Sequence, residues 1–338
     1  MSSNAKLLEM KQQQSKTGLV AIIIVFVRGF LFLTTVIMSS MAGTQVESLS
    51  STKHGTATTM TTGPTVALRF FNSGTCPFAQ RAWIALEECE ATYETVKEDL
   101  QNKSKEFEDL YAKANPIPGA RAKVPLLVVD AATAGTDTDD AEQKPTPSSY
   151  LTESLIVSEY IAELYNKNSN NALLPSDPVD RATMRLFFEL CGGSTFNYVS
   201  IVRAKTTNKQ EDFETAVASL KENFTKANTF LEHYSSSNTN SNNNNNKNGP
   251  FLFGTKFSLA ECNMAPFVQR CCAILPAYTD AVVDPIQICD ELQLQRLKQW
   301  ILAVLDHPSV VATGVPTPQL IEGQKRMLAR FMSMQQQK

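Results

Sequence analysis

A short apolar run, a turn and a cysteine–proline pair follow one another between residues 66 and 79, and they most constrain how this chain folds. Residues 66–71 read VALRFF, and the turn formers Asn-Ser-Gly come next at 72–74, which predicts a strand that ends there. Pro77 suits the first turn of a helix, because its missing N–H is one that the helix leaves unpaired. The apolar side chains that follow have the spacing of one helix face: Ala79, Ala82, Trp83 and Leu86.

Cys76 lies directly before Pro77, at the position that precedes the first helical residue. A side chain there faces unpaired backbone N–H groups and the positive end of the helix dipole, which favour the nucleophilic thiolate. Position 79 is alanine, so no Cys-x-x-Cys pair supplies a second thiol. A buried, inert cysteine is the alternative, but the junction favours a reactive Cys76 that depends on an external thiol.

The next hundred residues predict a small α/β layer. Strands are predicted at 93–97 and 124–129, with a helix at 104–114 between them. A further helix includes Val157 and Ile161, and a short strand is possible before it. The predicted order is therefore β-α-β-α-β-(β)-α.

The second half of the body predicts helices and few strands. Apolar residues step by three and four from Phe213 to Leu231, and Ser258-x-x-Glu261 is a capping box that starts another helix. A further helix is predicted at 291–306. We therefore expect an α/β domain over 64–168 with an inserted loop at 131–149, then an all-helical domain over 169–335 with an asparagine-rich loop at 235–249.

Composition excludes several classes of protein. The 338 residues include 31 basic and 34 acidic side chains, for a net charge of −3, so charge gives no argument for nucleic-acid binding. Seven cysteines in a chain of this length do not indicate a disulfide-stapled miniprotein, and at least one thiol is left over. No Cys/His spacing resembles a zinc site. The expectation is no metal.

The N-terminus resembles a signal peptide or a membrane anchor. A basic start precedes twenty residues, 19–38, of which only four are not apolar, and small residues flank Met41. A run this long can span a bilayer, although the charge of Arg28 in its middle opposes that. We expect 1–42 to direct entry into the secretory pathway or an organelle, or to anchor the chain. A buried core helix, or a cytoplasmic protein translated from Met41, are the alternatives.

A Ser/Thr/Gly-rich segment at 43–63 reads as a flexible linker. The body after it resembles the soluble glutathione transferases, most closely their cysteine-type omega and dehydroascorbate-reductase-like members. Five motifs occur in the order found in that family: SGTCPFAQRAWIALEE (73–88), KVPLLVVD (123–130), LTESLIVSEYIAELY (151–165), LLPSDPVDRA (173–182) and GTKFSLAECNMAPFVQR (254–270). The resemblance covers roughly 64–335. It implies a thioredoxin-like domain followed by an all-α domain.

The resemblance also implies residue roles. Cys76 matches the catalytic cysteine that forms a mixed disulfide with glutathione. Val124, before a cis Pro125, would pair its backbone with the peptide part of glutathione. Glu153 and Ser154 match the pair that holds the γ-glutamyl end, at a helix start whose free N–H groups suit a carboxylate.

Lys113 roughly matches a basic residue near the glycine carboxylate of glutathione. Each of these roles has a plainer alternative: Glu153 and Ser154 as ordinary helix-start residues, Pro125 as a trans edge-strand proline. Arg81 is expected to be a solvated helix arginine, with a role in orienting the site as the alternative. The second-substrate pocket would be lined by residues around Phe188 to Tyr198, which could equally belong to the core.

The implied activity is a glutathione-dependent thiol transfer or reduction of a disulfide, dehydroascorbate or S-conjugate, with glutathione as co-substrate and a homodimer possible. A non-catalytic binding module inside a protein complex is the alternative. A membrane-inserting relative of the intracellular chloride-channel group shares a CPF-x-QR motif, but the charged residues at 87–109 make insertion there implausible. Membrane contact would then involve only an uncleaved 19–38.

Overall fold

The computed structural model describes residues 66–131, 148–165, 173–192, 195–236 and 249–336. The predicted signal-like segment and linker lie outside these residues. So do most of the inserted loop and of the asparagine-rich loop. The expected boundary between two domains at 168 falls in another such gap and stays a prediction.

A four-stranded mixed sheet forms the first part of the described structure. Its strands are β1 (Val66–Asn72), β2 (Glu94–Lys97), β3 (Leu126–Ala131) and β4 (Ser149–Thr152), in the spatial order β2-β1-β3-β4. β1 pairs with β2 in parallel, and β3 is antiparallel to both of its neighbours. Because Leu126 lies opposite Thr152, the start of β3 is beside the end of β4.

Three helices alternate with these strands. They are α1 (Pro77–Glu88), α2 (Lys105–Ala114) and α3 (Ser154–Tyr165). The thioredoxin-like order expected from the sequence is confirmed, and the short fourth strand is present. β3 begins two residues later than predicted, at Leu126, because Pro125 has no N–H to donate to a ladder.

The second part is helical across its described residues. Its helices are α4 (Pro178–Cys191), α5 (Tyr198–Thr206), α6 (Gln210–Ser236), α7 (Leu259–Tyr278), α8 (Pro285–Glu291), α9 (Gln295–Asp306), α10 (Pro308–Ala312) and α11 (Thr317–Gln336). The helix predicted at 291–306 is wrong at its start. Gln293, with φ of 55°, separates α8 from α9.

The predicted capping box at the start of α7 is confirmed. The Ser258 hydroxyl accepts from the Ala260 N–H, while the Glu261 carboxylate accepts from the Ser258 N–H at 3.0 Å. Glu261 is fully buried and also accepts from the Leu252 N–H at 2.8 Å and from Trp300 Nε1 at 2.9 Å. One carboxylate therefore fixes α7, the preceding loop and α9 together.

The described part of the chain has no helix both long and apolar enough to cross a bilayer. The apolar run at 19–38 lies outside the described residues.

Candidate active site

Cys76 occupies the cap position before α1, with Pro77 as the first helical residue. Its φ and ψ of −78° and 119° are extended, and its thiol makes no capping hydrogen bond. The Gln80 N–H donates to the Cys76 carbonyl at 3.1 Å, which closes the first turn. The half-buried thiol is therefore held at the end of the helix where the unpaired N–H groups lie.

Six other thiols are unsuited to nucleophilic chemistry because burial raises their pKa values. The pKa of Cys191 is raised to about 11 and those of Cys89, Cys272 and Cys289 to about 12. Cys262 and Cys271 are fully buried and their pKa values are raised further. All seven cysteines are free: Cys76 and Cys272 are half-buried and the other five are buried. Of the two half-buried thiols, that of Cys76 lies at a helix start.

The sheet brings the second predicted segment beside this thiol. Cys76 packs against a small buried cluster that includes Val124. The Val124–Pro125 peptide bond is cis, as the resemblance implies. Since β3 pairs only from Leu126 onward, the sheet ladder does not use the backbone groups of Val124.

The third predicted segment joins the same place through β4 and α3. The Thr152 hydroxyl donates to the Pro125 carbonyl at 3.1 Å, so residues 153 and 154 follow directly from a contact with the proline. Glu153 is exposed and has a φ of 70°. A non-glycine residue in that region is strained, and such strain concentrates at functional sites.

Ser154 is buried at the first position of α3 and is linked to the cysteine helix. Arg81 Nη1 donates to its hydroxyl oxygen at 3.1 Å, and Arg81 Nε donates to the Asn263 carbonyl at 2.8 Å. The hydroxyl hydrogen of Ser154 is therefore left to donate elsewhere. Contacts therefore bring together three segments that are far apart in sequence, at 76, 124–125 and 153–154.

The expectation that Arg81 is solvated is wrong. Arg81 is only 5% exposed. Burial lowers the pKa of its guanidinium to about 10, while Cys262 and Cys76 act to raise that pKa. Three aromatic rings surround its guanidinium, with 4.6–5.5 Å from Cζ to each ring centroid: Phe78, Phe188 and Phe267. Arg81 is buried because it joins α1, α3 and α7.

The remaining residues predicted for the site differ in where they lie: one is exposed, two are in the core and one contacts Arg81. Lys113 is exposed on α2, where Nζ donates to the Tyr150 hydroxyl at 3.4 Å and lies 5.0 Å from the centre of that ring. Phe196 and Tyr198 are buried core residues, whereas Phe188 is partly exposed and contacts Arg81. Phe188 therefore packs against Arg81, a residue of α1, the helix that follows Cys76.

Sequence reasoning gave no role to Arg270, which contacts the loop before the thiol. Its Nη2 donates to the Thr75 carbonyl at 2.9 Å. Arg270 belongs to the fifth motif, and a cation in a largely apolar helix was the available signal. It lies 195 positions from Thr75 in the sequence, so no local pattern could reveal the contact.

The family model described as "Glutathione S-transferase, N-terminal domain" matches residues 75–164. Among curated proteins, rat glutathione S-transferase omega-1 is 27% identical over 207 residues, which is 61% of this chain and 68% of that protein.

Solved structures show the same fold. Glutathione transferase Omega 2C from Trametes versicolor superimposes with a TM-score of 0.51 at 26% identity, covering 78% of this chain and 99% of that one. The Tau class enzyme from mango gives 0.55 at 22% identity, covering 76% and 97%. From the matched domain and the shared fold, we conclude that residues 75–164 are similar to a glutathione S-transferase N-terminal domain and that the described chain has the glutathione transferase fold.

Proposed function

We propose that this chain is a glutathione-dependent thiol transferase or reductase of the omega-like type, working through a mixed disulfide between Cys76 and glutathione. The observation that carries the proposal is the half-buried thiol of Cys76 at the start of α1, whereas burial raises the pKa values of the six other thiols. A thiol in this position favours exchange with a sulfur over the activation of glutathione for conjugation.

The proposed exchange takes two steps. The Cys76 thiolate attacks the glutathione sulfur of a mixed disulfide, so that a Cys76–glutathione disulfide forms and the substrate leaves as a thiolate that takes up a proton. The thiolate of a second glutathione then attacks the glutathione sulfur, which releases oxidised glutathione and regenerates the Cys76 thiolate. With dehydroascorbate the balance is two glutathione molecules oxidised for one ascorbate formed.

Glutathione would lie across the three segments. Ser154 and the free N–H groups at the start of α3 suit its γ-glutamyl carboxylate, and Glu153 suits the ammonium group. The backbone of Val124 would pair with the peptide part. Lys113 remains a proposal for the glycine end, with Tyr150 as its present contact.

A substrate panel tests the function. Glutathione-linked turnover would be measured with a glutathionylated peptide, with dehydroascorbate and with an aromatic halide as conjugation substrate. We expect Cys76→Ser to lose about a hundredfold or more on the first two, and the control Cys272→Ser to keep its rate. Undiminished reduction by Cys76→Ser would contradict the proposal. Absence of glutathione binding in calorimetry would favour the non-catalytic binding module.

We further propose that a second copy of the chain covers an exposed apolar face on α4 and α3. Val179, Leu186 and Leu190 are 70%, 41% and 58% exposed and share one side of α4. Ile156 on α3 is 58% exposed, and Arg185 of α4 pairs with Glu159 of α3. Both helices therefore contribute to one surface, and apolar side chains of this size favour burial against a partner.

For localisation, we propose that residues 1–40 direct the chain to a membrane or into an organelle. Fluorescent fusions with and without this segment test it. Retention at a membrane or in an organelle only when the segment is present supports the proposal, and equally diffuse signals would contradict it.

A further inference from the structure

Arg270 belongs to α7, yet its guanidinium contacts one residue before Cys76 and one residue after it, in α1. Nη2 donates to the Thr75 carbonyl at 2.9 Å, and Nη1 donates to Gln80 Oε1 at 2.7 Å. Nη1 also donates to the Pro266 carbonyl at 2.8 Å, within its own helix. One planar group thus joins the residue just before the thiol to the residue four positions after it.

Gln80 extends this contact. Its Nε2 donates to the Thr313 carbonyl at 3.1 Å and to Gln269 Oε1 at 3.3 Å. The first turn of α1 is therefore fixed to α7 and to the segment after α10 by buried hydrogen bonds. A guanidinium is suited to this task because its donors form a rigid fork.

The charge of Arg270 is as notable as its hydrogen bonds. The residue is 2% exposed, and within the described ranges it forms no ion pair with a carboxylate; its acceptors are two carbonyls and an amide. A buried cation without an anion is costly. Burial lowers the pKa of Arg270 to about 10, while Tyr198 and then Cys76 act to raise it, so the cation persists at neutral pH.

The other buried cation near Cys76 is Arg81 of α1, which also forms no ion pair within the part of the chain described. Cys76 acts to raise the pKa values of both buried arginines, and Tyr198 of α5 is the further titratable group that acts on the pKa of Arg270. In general, a cation close to a thiol favours its charged form.

We propose that Arg270 is a positioning residue for Cys76: its fork holds the Thr75 carbonyl and Gln80, and its charge favours the thiolate at the start of α1. The inference rests on the function proposed for Cys76. Arg270, from a helix in the second half of the chain, would thereby help to set the reactivity of a thiol that lies between β1 and α1.

The test measures alkylation of Cys76 in the full chain. Iodoacetamide would be reacted between about pH 5 and 9, with the Cys76 peptide quantified by mass spectrometry, so that the other six thiols do not contribute. The variants are Arg270→Gln, which removes the charge, and Arg270→Lys, which keeps it. Arg296→Gln is the control, since Arg296 donates to two backbone carbonyls in a different loop, those of Pro250 and Phe251.

We expect Arg270→Gln to slow alkylation about tenfold at weakly acidic pH and to move the half-maximal rate to higher pH by about one unit. Arg270→Lys should retain most of the low-pH rate, and the control should match the wild type. A profile for Arg270→Gln that coincides with the wild type, whatever its thermal stability, would overturn the proposal.

A second variant applies if Arg270→Gln does not fold. Gln80→Glu places a carboxylate against Arg270 Nη1 and pairs its charge, so the same shift of the profile to higher pH is expected, and its absence would overturn the inference. The two proposals fail separately. Reduction by Cys76→Ser would refute the catalytic role, whereas the alkylation profiles report on Arg270 without any glutathione.

Discussion

Ser154 belongs both to the proposed glutathione site and to the hydrogen bonds of the buried Arg81. Its hydroxyl oxygen accepts from Arg81 Nη1 at 3.1 Å, which directs its own hydrogen away from the arginine and leaves it to donate to a bound carboxylate. The hydroxyl is therefore oriented before glutathione arrives, which reduces the entropy cost of binding.

Replacing Ser154 by alanine should raise the dissociation constant of glutathione about tenfold, because one hydrogen bond to a charged group is lost. Titration calorimetry measures the change. Ser158→Ala is the matched control: Ser158 is also buried in α3, but its hydroxyl contacts Asn263 Oδ1 at 2.9 Å. Equal affinities for Ser154→Ala and the wild type would remove Ser154 from the proposed binding site.

The sequence predicts the position of Cys76 before a helix correctly, because the signal is local: a strand, a turn and Cys-Pro in a row. Sequence reasoning failed at Arg81 and missed Arg270 because their partners are remote. Arg81 contacts Ser154 and Asn263, 73 and 182 positions away. A helix arginine facing three aromatic rings and a carbonyl looks, in sequence, like one that faces water.

At the scale of the helices and strands, the capping box of α7 combines local and distant interactions. Ser258-x-x-Glu261 is a local signal and starts the helix as predicted. The same carboxylate also accepts from Leu252 and Trp300, which the motif does not reveal. An element that begins α7 therefore also holds α9 against it.

We expect Glu261→Gln to lower the free energy of unfolding by about 2–4 kcal/mol, since an amide presents a donor where the buried carboxylate meets only donors. Urea denaturation followed by circular dichroism measures this. Glu322→Gln serves as control, because Glu322 pairs with Arg326 on the exposed side of α11. A loss no greater than that of the control would mean that the cap does not stabilise the fold.

Strong periodicity and turn signals predicted β1, β2, α1 and α2 to within a residue or two. The break between α8 and α9 was not predicted, because Gln293 adopts a left-handed conformation without glycine and the sequence around it reads as helix. α11 was also missed. Its buried residues Leu320, Gln324 and Leu328 include a polar one, so too few apolar positions repeat to show a helix face.

For the whole molecule, the exposed side of α4 makes the proposed dimer testable. Leu190→Glu places a charge on that face, where burial without a partner charge is unfavourable, so the variant should sediment at half the mass of the wild type. Val311→Glu is the control, since Val311 is 61% exposed on α10, away from α4. An unchanged mass for Leu190→Glu, or a monomeric wild type, would contradict the proposal.

The central claim is that Cys76 carries glutathione as a mixed disulfide, and trapping that adduct tests it most directly. The full chain would be incubated with a glutathionylated peptide, quenched with acid and mapped by mass spectrometry. We predict one glutathione on Cys76, its loss on adding reduced glutathione, and no adduct on the six cysteines whose pKa values are raised by burial. Turnover of the peptide with no adduct on Cys76, or with the adduct on another cysteine, would contradict the account.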